Sequence, residues 1–334
     1  MKDSISMRNM NYRSTFFILS SFFATIGYIT QVLLSGWLSL PFALIEIAFV
    51  SGVFTLFIRI FSRRGYTFSS HFLRYFLLLS SFIGLLSFIM WIGAFLSNTF
   101  PGALSKITLT NGENTIVYYQ MSHIGTKKYY DSIRDELLGY AGNEYSIYLE
   151  GVLPGTPENQ VRLEKALGIK ISSGTYEDIA QVMGMQSQDE RLLEGIDKKV
   201  FIHADLGVDD IVAYLSTGSV RTEDPVDMSV EFKSLRDASN NAWAISYIFR
   251  SLLNASIRYS LSTDGMFEFL GPETMQALLE KRNQKVIDTY YKNDTKKSVF
   301  LYGALHFEGI YALLKSKDPR WSIVSHDPIY PYVP

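Results

Sequence analysis

The sequence predicts an α/β domain set behind three N-terminal apolar helices, and three observations predict it. Residues 1–97 are apolar and almost free of acids. Beyond them, short β-branched and aromatic runs alternate with stretches whose apolar residues recur at helical spacing. Two of these strand-then-helix patterns, one early and one late, bracket a segment that reads as helical throughout.

Charge divides the chain. Residues 1–97 hold seven basic side chains and two acids, Asp3 and Glu46, out of 31 basic and 33 acidic residues in all. That leaves 24 basic and 31 acidic residues for 98–334, so the first part carries +5 and the second −7. An acidic domain repels a phosphate backbone, which argues against a nucleic-acid partner. The chain has no cysteine. Disulfides, thiolate ligands and a cysteine nucleophile are therefore excluded.

Three apolar runs, Ser14–Leu34, Trp37–Ile58 and Tyr75–Leu96, each hold 21 or 22 residues. At about 1.5 Å per residue each run is long enough to cross a hydrocarbon core of roughly 30 Å. Lys2, Arg8 and Arg13 precede the first run, and Arg59, Arg63, Arg64 and Arg74 lie around the second connection. The Ser35-Gly36 link and the stretch Ser97–Leu104 carry no charge. Basic loops stay on the cytoplasmic side, so the expectation is a multi-pass protein of the cell membrane with its N-terminus inside and residues 98–334 outside. A polar 13-residue leader, no A-x-A site and two further runs argue against a cleaved signal peptide. Glu46, mid-way along the second run, is expected to face the bundle interior, near a partner such as Gln31.

The domain 98–334 begins with Thr115–Gln120 as a strand, Lys127–Tyr140 as a helix with Tyr130, Ile133, Leu137 and Leu138 on its apolar face, and Tyr145–Leu149 as a strand. This is a β-α-β unit with parallel strands. Ser298–Tyr302, Glu308–Lys315 and Trp321–Ser325 repeat the pattern. Between the two units the spacing predicts helices over Glu158–Leu167, Tyr176–Met183, Val208–Leu215, Ser239–Leu261 and Pro272–Tyr291, with Lys199–His203 as a further strand.

Each unit has a histidine where its first strand gives way to its helix: His123 in Gln120-Met121-Ser122-His123 and His306 in Gly303-Ala304-Leu305-His306. Ligands of open parallel sheets bind at the carboxyl ends of the strands, so both rings are expected there, with Glu150 at the end of the next strand. Two histidines and a carboxylate can make a three-ligand metal site with a position left open. A lone histidine after a strand is more often a capping or hydrogen-bonding residue, and it is the pair with Glu150 that points to a metal. His203 reads as a core or rim residue and His326 as a turn residue, each a lesser candidate. No H-E-x-x-H, G-x-S-x-G, P-loop or G-x-G-x-x-G sequence occurs.

These residues resemble the TraB/PrgY/Tiki (GumN-like) family over about residues 113–326. The likeness rests on VYYQMSHIGTKKYYDSI, YSIYLEGV, LLEKRNQKVI and FLYGALHFEGI, and on Phe201–Asp209 (FIHADLGVD). It implies a metal-dependent, peptidase-like hydrolase, with His123, His306 and Glu150 as metal or catalytic residues and zinc, manganese or cobalt as the divalent ion. It also implies that Arg282 holds a carboxylate or a developing oxyanion, and it adds Asp205 to the candidates. Gln120 stands where the family's first motif has Gly. The expected function is therefore hydrolysis of peptides or proteins outside the membrane, by a chain in contact with the lipid bilayer and with room for a homo-oligomer. The alternative is a non-catalytic, membrane-tethered module that sequesters a signalling peptide or docks a membrane partner. A transporter component would rest on Glu46 alone.

Overall fold

A computed structural model describes residues 18–32, 39–61, 68–170, 174–188, 190–215, 224–227, 230, 234, 242–260 and 276–333. The basic residues Lys2, Arg8, Arg13, Arg63 and Arg64 lie outside them, as do the ends of the first expected span and the starts of two expected helices, Ser239–Asn241 and Pro272–Met275.

The chain forms two compact units, residues 1–99 with 235–251, and residues 100–234 with 252–334. The return of 242–251 to the first unit is a feature that sequence periodicity gives no means of seeing. The first unit is built from α1 (Ile18–Val32), α2 (Ser39–Phe61) and α3 (Phe68–Thr99). Among the described residues one helix, His71–Thr99 within α3, is long and apolar enough to cross a membrane, while Ile18–Val32 and Leu44–Val53 are shorter apolar helices. The helices α1 and α3 meet through small residues. Gly27 faces Gly84, and a Cβ placed on Gly84 would fall 1.6 Å from the Phe23 carbonyl oxygen. Small residues at such crossings let backbones approach closely. Tyr28 shares a 2.9 Å hydrogen bond with Ser80, and Ser81 donates to the Ser20 carbonyl at 3.0 Å. Glu46 is exposed on α2 rather than turned inward.

The second unit is a mixed α/β fold around a six-stranded sheet of order β10-β1-β2-β9-β4-β7. Its strands are β1 (Leu104–Thr110), β2 (Thr115–Met121), β4 (Ser146–Leu149), β7 (Phe201–His203), β9 (Lys297–Gly303) and β10 (Ser322–Ile329). The short strands β3 (Ile124–Gly125) with β6 (Gln186–Ser187), and β5 (Ile169–Lys170) with β8 (Val226–Asp227), form two separate ladders. The helices of this unit are α4 (Lys127–Gly142), α5 (Pro157–Leu167), α6 (Thr175–Val182), α7 (Val208–Tyr214), α9 (Lys281–Asn293) and α10 (Phe307–Lys317), while α8 (Ala242–Ser260) has its residues 242–251 in the first unit.

The sheet is covered on both faces because successive side chains of a strand point opposite ways. Tyr118, Phe300 and Tyr302 join Val286, Ile287 and Tyr290 of α9 and Phe307, Ile310 and Leu314 of α10 in one core. Their strand neighbours Val117, Tyr119, Val299 and Leu301 join Tyr130, Ile133 and Leu137 of α4 in the other. Leu138 is left exposed.

The expected β-α-β units need correction in their strand order. Strands β2 and β4 run parallel but are not neighbours, because β9 lies between them and pairs with both. Strand β10 does not pair with β9, but forms the sheet edge against β1, antiparallel. His326 consequently lies within β10, opposite Ile107, and not in a turn. An edge strand is the place that tolerates Pro328.

Candidate functional site

The insertion of β9 between β2 and β4 decides where the candidate residues go. The carboxyl ends of β4, β9 and β7 stand side by side, so Glu150, Gly303 and Asp205 come together although they are far apart in sequence. Over them lies the first turn of α9. Its inward face carries Val286 and Ile287, and residues four positions earlier share that face. Arg282 and Asn283 are therefore drawn into the interior at the strand ends. A π-helical turn, Gln276–Glu280, leads into this helix. Such turns recur at functional sites.

Arg282 joins the two acids. Its Nε donates to Asp205 Oδ1 at 2.8 Å, and its Nη2 donates to Asp205 Oδ2 at 2.6 Å and to Glu150 Oε1 at 2.7 Å. This is the planar fork of guanidinium on carboxylate that makes the strongest ion pairs. Asp205 also accepts the backbone N–H groups of Gly151 at 3.0 Å and Leu206 at 2.8 Å. Glu150 Oε2 accepts the N–H of Gly303. His306 lies behind Glu150, with Nε2 3.3 Å from Glu150 Oε1 and Nδ1 2.6 Å from Asn283 Oδ1. Both ring nitrogens thus face oxygens.

Burial works against ionising Glu150, yet the hydrogen bond and charge of His306, with the charge of Arg282, outweigh it and hold the carboxyl well below the usual range. Burial also opposes the Arg282 charge, and Asp205 and Glu150 more than restore it. Two buried tyrosines brace the strand ends: Tyr118 donates to the Gly303 carbonyl at 2.9 Å and Tyr302 to the Leu149 carbonyl at 3.2 Å. Burial pushes both hydroxyls above the ordinary phenol range, so they stay protonated donors.

Glu150 and Arg282 open onto a cavity of about 680 Å³, whose lining also includes the apolar Leu163, Val208, Ile211 and Leu278. His123 and Tyr176 form part of the same lining, with ring centroids 4.7 Å apart. His123 is exposed, whereas His306 is buried and takes no part in the cavity lining.

The two histidines that look alike in sequence are therefore not equivalent in space, and the backbone after each strand gives the reason. Met121, not Gln120, pairs with Gly303, and beyond that pair the two segments follow different paths. His306 lies in a 3-10 turn, Ala304–His306, that runs directly into α10, while β3 separates His123 from α4.

Among the described residues no three of His, Asp and Glu gather as a metal-ligand group. Two of the expected ligands are in direct contact, at a separation that a shared ion would also give. Tetrahedral ligands at about 2.0–2.1 Å from a zinc-sized ion stand roughly 3.3 Å from each other, and Glu150 Oε1 and His306 Nε2 are 3.3 Å apart. Arg282 Nη2 holds that same oxygen. His203 ends β7 and is exposed, and His326 lies at the far edge of the sheet, four strands from Glu150, so neither joins this cluster.

Two participants were absent from the sequence candidates, Asn283 and Tyr176. Asn283 carried one signal, a polar residue four positions before Ile287 on the face of α9 that turns inward. Tyr176 carried none beyond its place at the start of an amphipathic helix. Compared with known proteins, the chain matches no family model, no curated protein and no solved structure.

Proposed function

We propose that the second unit is a hydrolase acting on peptides or proteins, held at a cell membrane by α1, α2 and α3 with the N-terminus inside. The observation that carries this reading is Glu150, fixed in its ionised form between Arg282 and His306 at the wall of a cavity large enough for a few side chains. A general base works best with a pKa near the operating pH. Glu150 is instead held as a carboxylate by Arg282 and the Gly303 N–H, which argues against that role and suits a ligand for a cation. Glu150 and His306 would hold a divalent ion, with His123 supplied from the cavity wall. When bound, such an ion lends Lewis acidity to the carbonyl under attack.

The chain's own residues do the rest. Asn283 sets the angle of the His306 ring. Arg282 commits four of its five N–H donors to Glu150, Asp205 and the Leu278 carbonyl, so its main task is to fix the protein's two carboxylates. The apolar wall takes up substrate side chains and keeps water away. Support for the membrane arrangement comes from the three apolar helices and the exposed Phe82, Leu86, Ile89 and Phe95 along α3.

The test is metal analysis of the purified full chain together with hydrolysis of a peptide mixture. The expected result is bound divalent ion and turnover, both lost in Glu150→Gln and in His306→Ala. A second reading, a peptide-binding module without catalysis, draws on the saturated network in which Arg282 and His306 already occupy Glu150. Peptide binding without turnover, unchanged by added metal, would decide for it.

A further inference from the structure

We propose that the start of α8, residues 242–251, is a membrane-interface element that rests among lipid headgroups and upper acyl chains beside the C-terminal end of α3. The reasoning begins with Trp243, which is 61% exposed although it is the largest apolar side chain on its helix. It stacks on Trp91 of α3, with centroids 6.2 Å apart and planes 16° from parallel, and on Tyr247 at 5.5 Å. Tyr247 in turn stacks on Trp91 at 5.9 Å. Trp91 donates its Nε1–H to Thr30 of α1 at 3.0 Å, which ties the cluster to the apolar helices. Two further bonds join α8 to the end of α3: Ser97 donates to the Ser251 carbonyl at 2.7 Å and Asn98 to the Tyr247 carbonyl at 3.1 Å.

Depth follows from helix geometry. The apolar helix His71–Thr99 has 29 residues, which at 1.5 Å each is about 43 Å, the thickness of a bilayer with its interfacial layers. Trp91 lies about 12 Å from the Thr99 end by the same rise. Centred in a bilayer, α3 would put Trp91 about 9 Å from the midplane, and so Trp91, Trp243 and Tyr247 among the upper acyl chains, within about 6 Å of the boundary between hydrocarbon and headgroups. Tryptophan and tyrosine concentrate at that boundary, because their rings are apolar and their N–H and O–H groups are not. The charges of α8 agree, since Arg250 and Arg258 are its charged residues and no acid occurs in it. Basic helices with aromatic apolar faces are the ones that lie at anionic interfaces.

The inference rests on α3 occupying a bilayer, and the experiment separates the two claims. The chain has no cysteine, so the full chain, reconstituted in vesicles of phosphatidylcholine and phosphatidylglycerol, can carry one fluorophore at a time. Trp243→Cys is compared with Leu86→Cys, an exposed position one residue from the midpoint of the α3 span, and with Glu308→Cys, an exposed site on α10. A nitroxide high on the acyl chain is expected to remove more than about half of the emission at position 243, and a deep nitroxide to act more strongly at 86. Position 308 should respond to neither. Emission at 243 that behaves like that at 308, while 86 is quenched, overturns the proposal and leaves α3 in the membrane. Loss of quenching at 86 as well overturns both. Cross-linking between copies at 243, with no lipid quenching there, assigns the surface to a second copy instead and also overturns it. In the cysteine-free chain, brominated lipids should quench tryptophan emission, and Trp243→Phe should remove part of that loss. An unchanged loss counts against the proposal.

Discussion

Arg282 Nη2 stands 2.7 Å from Glu150 and 2.6 Å from Asp205, so one guanidinium ties together the ends of two parallel strands and the first turn of a helix. All three side chains are largely or wholly buried, and breaking such a group by removing one member costs about 3–5 kcal/mol. Arg282→Ala is expected to lower the stability of the chain by that order in denaturant titrations. Arg282→Lys should recover only part of it, because an ammonium cannot span both carboxylates with a planar fork.

Acid should act on the same group. In the folded chain Glu150 keeps its charge well below the pH, near 4.3, at which an unfolded glutamate takes up a proton. As pH falls, the unfolded chain therefore binds that proton first. The contribution of Glu150 is complete above the ordinary carboxylate range and is lost as pH drops through that range towards the folded value. Denaturation midpoints measured between neutral pH and the acid limb should show a steeper fall for the parent than for Glu150→Gln.

Asn283 offers a probe of the ring behind Glu150. Asn283→Ala leaves His306 Nδ1 buried without its partner, a loss of about 1–3 kcal/mol. Gly309→Ala should act on the same contact from the opposite side, since its Cβ would lie 2.2 Å from Asn283 Nδ2. If the histidine ring matters to the site, both variants will shift the pH profile of any activity. His123→Ala, at an exposed position, should change stability by no more than about 0.5 kcal/mol while weakening ligand affinity.

In the first unit, Gly84 is the sensitive residue. A methyl group there meets backbone, which cannot swing aside, so Gly84→Ala should force α1 away from α3 at a cost of about 1–3 kcal/mol. Gly93 faces open space. Gly93→Ala is the matching control, and thermal unfolding in detergent should leave it close to the parent.

The strands Thr115–Met121, Ser146–Leu149 and Lys297–Gly303 were legible because β-branched and aromatic residues crowd them, and their parallel sense followed from the helices between. Their order was not legible. Periodicity says which residues face a core, but β9 could sit beside either neighbour with the same pattern. Strand β1 went unread because Lys106 and three Ser or Thr residues dilute its apolar positions. Strand ends put Glu150 and His306 among the candidates, whereas Arg282 and Asp205 entered only through the family resemblance; the structure brings these four side chains together. The fate of His123 was not legible, because it depends on the path of the chain after each strand: a short strand follows His123, and a 3-10 turn carries His306 into α10.

The late arrival of β9 also sets the order in which the protein can be made. Glu150 and its partner Gly303 are 153 residues apart. A ribosome that has finished β2 and β4 has therefore produced two strands whose shared neighbour does not yet exist. Until Lys297–Gly303 emerges, both present open edges of the kind that recruit other chains. The pairing they await is of the long-range, slow type. Interrupted synthesis or cleavage before residue 297 would thus leave an aggregation-prone fragment still carrying the apolar helices α1 to α3. Quality control acting on the nascent chain would find its natural target in that interval.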